Sequence, residues 1–372
     1  MSQQVKVPFA DLHAQYLTIK EDLDAAIAEV IKTSAFIRGP FVNAFEKEFA
    51  TAIGASHCVS CANGTDALYI AMRALGVKPG DEVITSAHSW IATSETVTQA
   101  GGSVVFCDTD TDTFTIDPAL IEHKITPRTV GIIPVHLYGQ SADMGAIMKI
   151  AARRGLWVLE DCAQAHLARC GDKTAGTYGS AAAFSFYPGK NLGAMGDAGA
   201  IITSDEVLAE RMTMFARHGG LKKGDHRIEG INSRLDGLQA AVLSVKLKRL
   251  ESWTAERKRL AGVYDRELSG LEDLEIPVAA PGRGHVYHLY VIRHPRREEL
   301  KRFLAERGIE TVINYPVALP FLPAYARMGA RTEDFPNAYR HQSMVLSLPI
   351  FPEMTEVQQG LVIAAVKTFC KG

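Results

Sequence analysis

Between His57 and Leu159, short β-rich runs alternate with stretches of helical spacing. Strands are expected at His57–Cys61, Glu82–Ser86, Ser103–Cys107, Val130–Val135 and Leu156–Leu159. Helices are expected at Ala67–Leu75, Ile91–Ala100, Pro118–Lys124 and Met144–Arg154. Strands joined through a helix need crossover connections, and crossovers bring parallel strands together. The alternation therefore points to an α/β domain whose central sheet is mostly parallel and flanked by helices. Ligands of such sheets bind beyond the carboxyl ends of the strands.

The flanks extend this frame. Leu12, Tyr16, Ile19, Leu23, Ile27, Val30 and Ile31 recur at helical spacing over residues 11–33. Gly39-Pro40 breaks that pattern, and Val42–Ala52 resumes it. Downstream, Ala181–Phe186 and Ala200–Thr203 read as strands, Asp205–Arg217 as a helix and Leu221–Gly230 as a polar loop. Leu235–Leu268 reads as one long helix, with the change of domain placed near its middle. Beyond it come a strand at Tyr287–Ile292, a helix at Arg297–Gly308, a strand near Thr311–Ile313 and a last helix at Val357–Phe369. The expected division is a large α/β domain, residues 1–250, and a smaller C-terminal α+β domain, residues 251–372.

Composition narrows the function classes. The chain has 372 residues, 47% hydrophobic and 22% charged, which suits a soluble protein with a large core. A formal net charge of −2 implies no general affinity for nucleic acid. No apolar run is long enough to span a membrane. Residues 1–10 hold no apolar signal core, so no secretory leader is expected. The six cysteines are scattered, and Cys58-Val-Ser-Cys61 has no second pair to complete a zinc site. They read as reduced thiols of a cytoplasmic protein, with no metal.

Two strand ends carry the chemistry. Leu156-Trp-Val-Leu-Glu-Asp161 ends in two acids, and Ala181–Phe186 runs into Pro188-Gly189-Lys190. Pro and Gly end a strand, and Gly193, Gly196 and Gly199 leave the backbone bare around the lysine. Taken alone, Lys190 reads as an ordinary loop lysine. A carboxylate at one strand end and a lysine at a later one is, however, what pyridoxal phosphate requires. The amine forms a Schiff base with the aldehyde, and the carboxylate keeps the pyridine nitrogen protonated. Three runs extend the pattern: Glu160-Asp-Cys-Ala-Gln-Ala-His166, Ser185-Phe-Tyr-Pro-Gly-Lys-Asn-Leu-Gly-Ala194 and Asn232-Ser-Arg-Leu-Asp-Gly-Leu-Gln-Ala-Ala241. Together they resemble the DegT/DnrJ/StrS family of nucleotide-sugar aminotransferases. The likeness runs from Pro8-Phe-Ala-Asp-Leu12 to Leu346-Ser-Leu-Pro349.

The resemblance implies a fold-type I transferase, aspartate aminotransferase-like, with Lys190 and Asp161 catalytic. It also implies roles for residues that are ambiguous alone. Asn63-Gly64-Thr65 is first of all a turn, yet the matching Gly64 and Thr65 hold the cofactor phosphate in the family, assisted by Ser185. Trp90 reads as core packing, whereas its family counterpart stacks on the pyridine ring. Gln164 matches a residue that bonds the ring hydroxyl. Asn232 reads as a helix cap, but its counterpart reaches the cofactor phosphate of a neighbouring subunit, which implies a homodimer with shared active sites. His88, His136 and His166 receive no catalytic role, and His136 and Tyr138 serve at most as supports.

One run departs from the family. Asn314-Tyr-Pro-Val-Ala-Leu-Pro320 has Asn314 and Pro320 where many members carry histidines near the substrate. Asn314, Tyr315 and Arg234 are the candidate substrate residues, with Lys222 and Lys223 as further cations for a diphosphate. Relatives that dehydrate sugars have histidine in place of the lysine, so Lys190 argues for transamination. The implied reaction moves an amino group from L-glutamate to the C3 or C4 ketone of a nucleotide-linked keto-deoxysugar, as in amino-sugar biosynthesis for lipopolysaccharide or a glycosylated metabolite. Two alternatives keep the same pocket: a non-catalytic regulator that binds pyridoxal phosphate, and another fold-type I enzyme such as a lyase.

Overall fold

The computed structural model describes residues 6–372; residues 1–5, half of the stretch expected to lack a leader, lie outside the described residues. The chain opens with helices α1 (Leu12–Thr18), α2 (Lys20–Thr33) and α3 (Pro40–Ile53). Strand β1 (His57–Cys61) and helix α4 (Gly64–Ala74) follow, then β2 (Glu82–Ser86), α5 (Ala92–Gln99) and β3 (Ser103–Cys107). Next come α6 (Pro118–Ile121), β4 (Thr129–Ile133), α7 (Met144–Arg154) and β5 (Trp157–Asp161). A small hairpin, β6 (Arg169–Cys170) and β7 (Lys173–Thr174), precedes β8 (Ala181–Ser185) and β9 (Gly199–Thr203).

Seven strands form the central sheet in the order β1-β9-β8-β5-β4-β2-β3. β3, β2, β4, β5 and β8 run parallel, as the crossover argument requires. β9 runs antiparallel to both β8 and β1. It returns from β8 through the loop 186–198 without a helix, and a connection without a crossover reverses direction. Alternate residues feed opposite faces of the sheet, as the strand period demands. Ala181, Ala183, Ile201 and Val83 pack under α4, α5 and α8 (Glu206–Ala216), while Ala182, Phe184 and Ile202 pack against Phe45 and Phe49 of α3.

The expected long helix is two helices, α9 (Gly237–Leu247) and α10 (Leu250–Leu268). Lys248 and Arg249 lie between them. α9 buries Ala240 and Leu243 with the aromatic side chains of α3, whereas α10 buries Leu260, Tyr264 and Leu268 in a separate core. A single straight rod would have to serve two cores, and the break resolves that conflict. The expected helix over 11–33 also divides, at Ile19.

The second core belongs to α10, β10 (Tyr290–Arg293), α11 (Arg297–Ala305), β11 (Val345–Leu348) and α13 (Glu356–Cys370), with Val7 added from the start of the chain, whereas α12 (Pro336–Met344) buries Ala338 in the core of the large sheet. β10 and β11 pair antiparallel. The strand expected near residue 312 is only a bridge from Val312 to Ser347, and sequence reading did not place β11 or α12. All six cysteines are unpaired. Among the described residues, no helix is long and apolar enough to cross a membrane.

Candidate active site

β5 and β8 are parallel neighbours, so their carboxyl ends open on the same edge of the sheet. Asp161 is the last residue of β5 and is buried. Its Oδ2 accepts from Thr93 Oγ1 at 2.8 Å and its Oδ1 from the Ala163 N–H at 3.1 Å. Burial pushes the Asp161 carboxyl above its ordinary value, against those bonds and the attraction of Lys190.

Past β8 the chain turns tightly. The Lys190 N–H donates to the Tyr187 carbonyl at 2.8 Å, and the Ala194 N–H donates to Phe186 at 2.8 Å. A side chain at Gly193 would meet the Pro188 carbonyl at 2.2 Å, so the doubling back requires glycine there. Lys190 projects into the cavity, where burial lowers its amine to about 8 while Asp161 pulls it back.

That cavity, about 420 Å³, joins the residues named from sequence: Gly64, Thr65, Trp90, Asp161, Gln164, Ser185, Lys190 and Tyr315 all line it. The N-terminus of α4 forms one wall. Asn63 caps it, with Oδ1 accepting from the Asp66 N–H at 2.8 Å. Gly64 lies so near Ser185 that an added Cβ would sit 2.6 Å from the serine Cβ. A helix N-terminus and a hydroxyl thus meet at one corner, the arrangement that binds an anion.

An aromatic wall stands opposite. Trp90 is 58% exposed, which corrects the core-packing reading of its sequence, and its ring lies 5.5 Å from that of Tyr315. Gln164 Nε2 donates to the Tyr315 hydroxyl at 2.9 Å, and its Oε1 accepts from the Tyr138 N–H at 2.6 Å. His88, fully buried behind this wall, has Nε2 3.0 Å from the Tyr138 hydroxyl; burial lowers it to about 4, so it is neutral.

The remaining histidines differ. His136 accepts from the Ala142 N–H at 3.0 Å and lies 3.0 Å from Glu160, which also accepts from the N–H groups of Gly176, Tyr178 and Gly179. Both its nitrogens are thus engaged, and the residue braces the loop after β5. His166 is buried among Phe49, Phe184 and Phe186, and burial lowers it to about 3.

Three candidates lie outside the cavity wall of this chain. Asn232 is exposed. Arg234 points its Nη2 to His218 Nε2 at 3.4 Å. Asn314 turns its Oδ1 to Ser347 Oγ at 2.9 Å, while its carbonyl accepts from the Tyr138 hydroxyl. Ser233, between the first two, accepts from the Ala62 N–H and donates to Asp66 at 2.6 Å, stitching this segment to the first turn of α4.

Sequence reading missed Thr93, Ser89, Tyr187 and Asp197, which also line the cavity. Thr93 carried a usable signal: it follows Trp90 by three residues at a helix start and so shares its face. A lysine and a carboxylate at the ends of adjacent parallel strands, beside a helix N-terminus, define the fold-type I class of pyridoxal phosphate proteins.

Comparison with known proteins agrees. The model of the DegT/DnrJ/EryC1/StrS aminotransferase family matches residues 17–367. The chain is 46% identical to the pleiotropic regulatory protein of Geobacillus stearothermophilus, over 98% of this chain and 99% of that one. It is 44% identical to the dTDP-3-amino-3,4,6-trideoxy-alpha-D-glucose transaminase of Streptomyces venezuelae, over 98% and 97%. It superposes on the crystal structure of S. venezuelae DesV in complex with a ketimine intermediate at a TM-score of 0.97, with 44% identity and 99% of each chain covered. The chain belongs to the DegT/DnrJ/EryC1/StrS aminotransferase family.

Proposed function

We propose that this protein is a pyridoxal phosphate-dependent aminotransferase that moves an amino group from L-glutamate to the C3 or C4 ketone of a nucleotide-linked keto-deoxysugar. The observation that carries this reading is the convergence of Lys190, Asp161 and the start of α4 on one cavity. The residues present fit the cofactor. Asp161 is a buried carboxylate pushed upward, and a pyridinium proton is the partner such a group lacks. The N–H groups of Gly64 and Thr65 with Ser185 suit the phosphate, and Trp90 offers a face for the ring. Gln164 Nε2 spends one of its two hydrogens on Tyr315 and keeps one for the ring hydroxyl.

When bound, pyridoxal phosphate supplies an electrophilic aldehyde and an electron-withdrawing ring. With its amine near 8, about a tenth of Lys190 is neutral at pH 7, which lets it act as nucleophile and then as the base and acid that moves a proton. Asp161 holds the ring-nitrogen proton throughout. Tyr315 and Arg234 are the residues assigned to the sugar nucleotide, and Asn314 acts through the fold around Tyr315. Asn232, exposed and off its own cavity wall, serves the partner's cofactor phosphate in a homodimer. Residues 1–250 and 251–372 act as the cofactor domain and the closing domain. The protein works in the cytoplasm, in keeping with its unpaired cysteines.

A second reading, a regulator that binds the cofactor without turnover, is favoured by the name of the Geobacillus relative. One experiment separates the two. The cofactor-loaded protein is mixed with L-glutamate, and 2-oxoglutarate is measured. Stoichiometric release, followed by amination of a dTDP-, UDP- or GDP-linked keto-sugar detected by product mass, is the expected result. No release from glutamate rejects the glutamate aminotransferase, and release without amination of any panel member rejects the assigned sugar class.

A further inference from the structure

The loop that carries Lys190 is held from outside the cavity. Lys246, near the end of α9, is only 4% exposed, and its Nζ donates to the Gly193 carbonyl at 2.8 Å. Burial lowers this amine to about 8, with only the more distant Glu353 pulling it back. A methionine would fill the same space without the desolvation penalty, so packing alone gives no reason for an amine here. Among the described residues its one hydrogen-bond partner lies where the Lys190 loop doubles back. Gly193 presses on Pro188, the Lys190 N–H closes onto Tyr187, and the Ala194 N–H closes the neck on Phe186. With the neck fixed, the Gly193 carbonyl is the free side of the loop. On the other flank Asn191, also buried, donates to the Val286 carbonyl at 3.2 Å.

We propose that Lys246 is a positioning residue for Lys190: its amine fixes the Gly193 carbonyl and thereby the direction from which the Lys190 amine enters the cavity. The inference rests on the role given to Lys190 above. Small displacements of a reacting group are costly, so the effect belongs to bond formation at Lys190 rather than to general binding.

The test uses the full-length protein stripped of cofactor, as wild type, Lys246→Met and Lys246→Gln. Pyridoxal phosphate is added, borohydride stops the reaction at timed intervals, and the fixed label is located by peptide mass. Affinity for pyridoxamine phosphate, which forms no bond to lysine, and the Tm are measured beside it. Lys246→Met is expected to fix the cofactor at Lys190 about tenfold more slowly, with pyridoxamine phosphate affinity within about twofold of wild type. Lys246→Gln, which keeps an N–H toward Gly193, is expected to regain much of the rate. A wild-type fixation rate in Lys246→Met overturns the proposal. So does a loss of pyridoxamine phosphate affinity matching the loss of rate, or a Lys246→Met chain that does not fold, since either makes the amine a general structural element. If borohydride does not mark Lys190 in the wild type, the functional reading itself fails; if it does and Lys246→Met behaves alike, only the role of Lys246 fails.

Discussion

Among the described residues the Asp161 carboxyl accepts two hydrogen bonds, from Thr93 and Ala163, in a setting that pushes it upward. A positive partner in the cavity favours its charged form. Asp161→Asn keeps the shape and both donors' neighbourhood but cannot hold a pyridinium proton. The variant is expected to retain cofactor while losing about a hundredfold or more of the rate with glutamate, followed by stopped-flow absorbance. A rate within a few-fold of wild type would reject the role. Lys190 gives a second expectation, for the cofactor-free protein. Its folded value, about 8, lies below the ordinary 10.5, so between these values the unfolded chain binds more protons than the folded one. Stability then rises with pH across that window, and below pH 8 the full penalty of burying the ammonium is present. Lys190→Met removes the titrating group. Relative to wild type, its advantage in urea unfolding is expected to shrink between pH 8 and 10.5 by on the order of 1–3 kcal/mol; a pH-independent difference would contradict the burial of the amine.

At the scale of elements, α4 and β8 touch at Gly64 and Ser185. Gly64→Ala places a methyl 2.6 Å from the serine Cβ, and neither partner is a flexible chain end. One element has to shift. The expected result is a loss of about tenfold in affinity for pyridoxal phosphate and of about 1–3 kcal/mol in stability. Fluorescence titration and thermal melting read both, and unchanged affinity would place the phosphate elsewhere. The same elements explain what a sequence discloses. Strand ends are legible because short apolar runs bounded by Gly, Pro and acids have little freedom, so Asp161 and Lys190 can be set on one edge before any coordinates. The break at Lys248-Arg249 is not legible, since both residues favour helix and the break is imposed by two distant cores. Strand β11 is hidden for a related reason: Val345–Leu348 earns its place by pairing with β10, some fifty residues earlier. Asn314 illustrates a further limit. Its position in the run is legible, but its side chain turns to Ser347 while Tyr315 alone enters the cavity.

For the whole molecule the decisive residue is Asn232. It is exposed and lies off its own cavity wall, yet Ser233 beside it is tied to the first turn of α4, the element proposed to receive the phosphate. A residue so placed, exposed and next to a segment tied to the site, suits a second subunit. Two inactive variants test this: Lys190→Ala, and Asn232→Asp, which sets a like charge beside the phosphate. If Asn232 serves the partner, each mixed dimer has one site with both lesions and one site with none. Random exchange makes about half the dimers mixed, so activity is expected to return to roughly a quarter of wild type in a two-fold assembly. If Asn232 serves its own chain, every site keeps one lesion and nothing returns. Two affinity tags isolate the mixed dimer, and circular dichroism with light scattering verifies that both variants are folded and dimeric. An isolated mixed dimer without activity would therefore place Asn232 in the site of its own subunit.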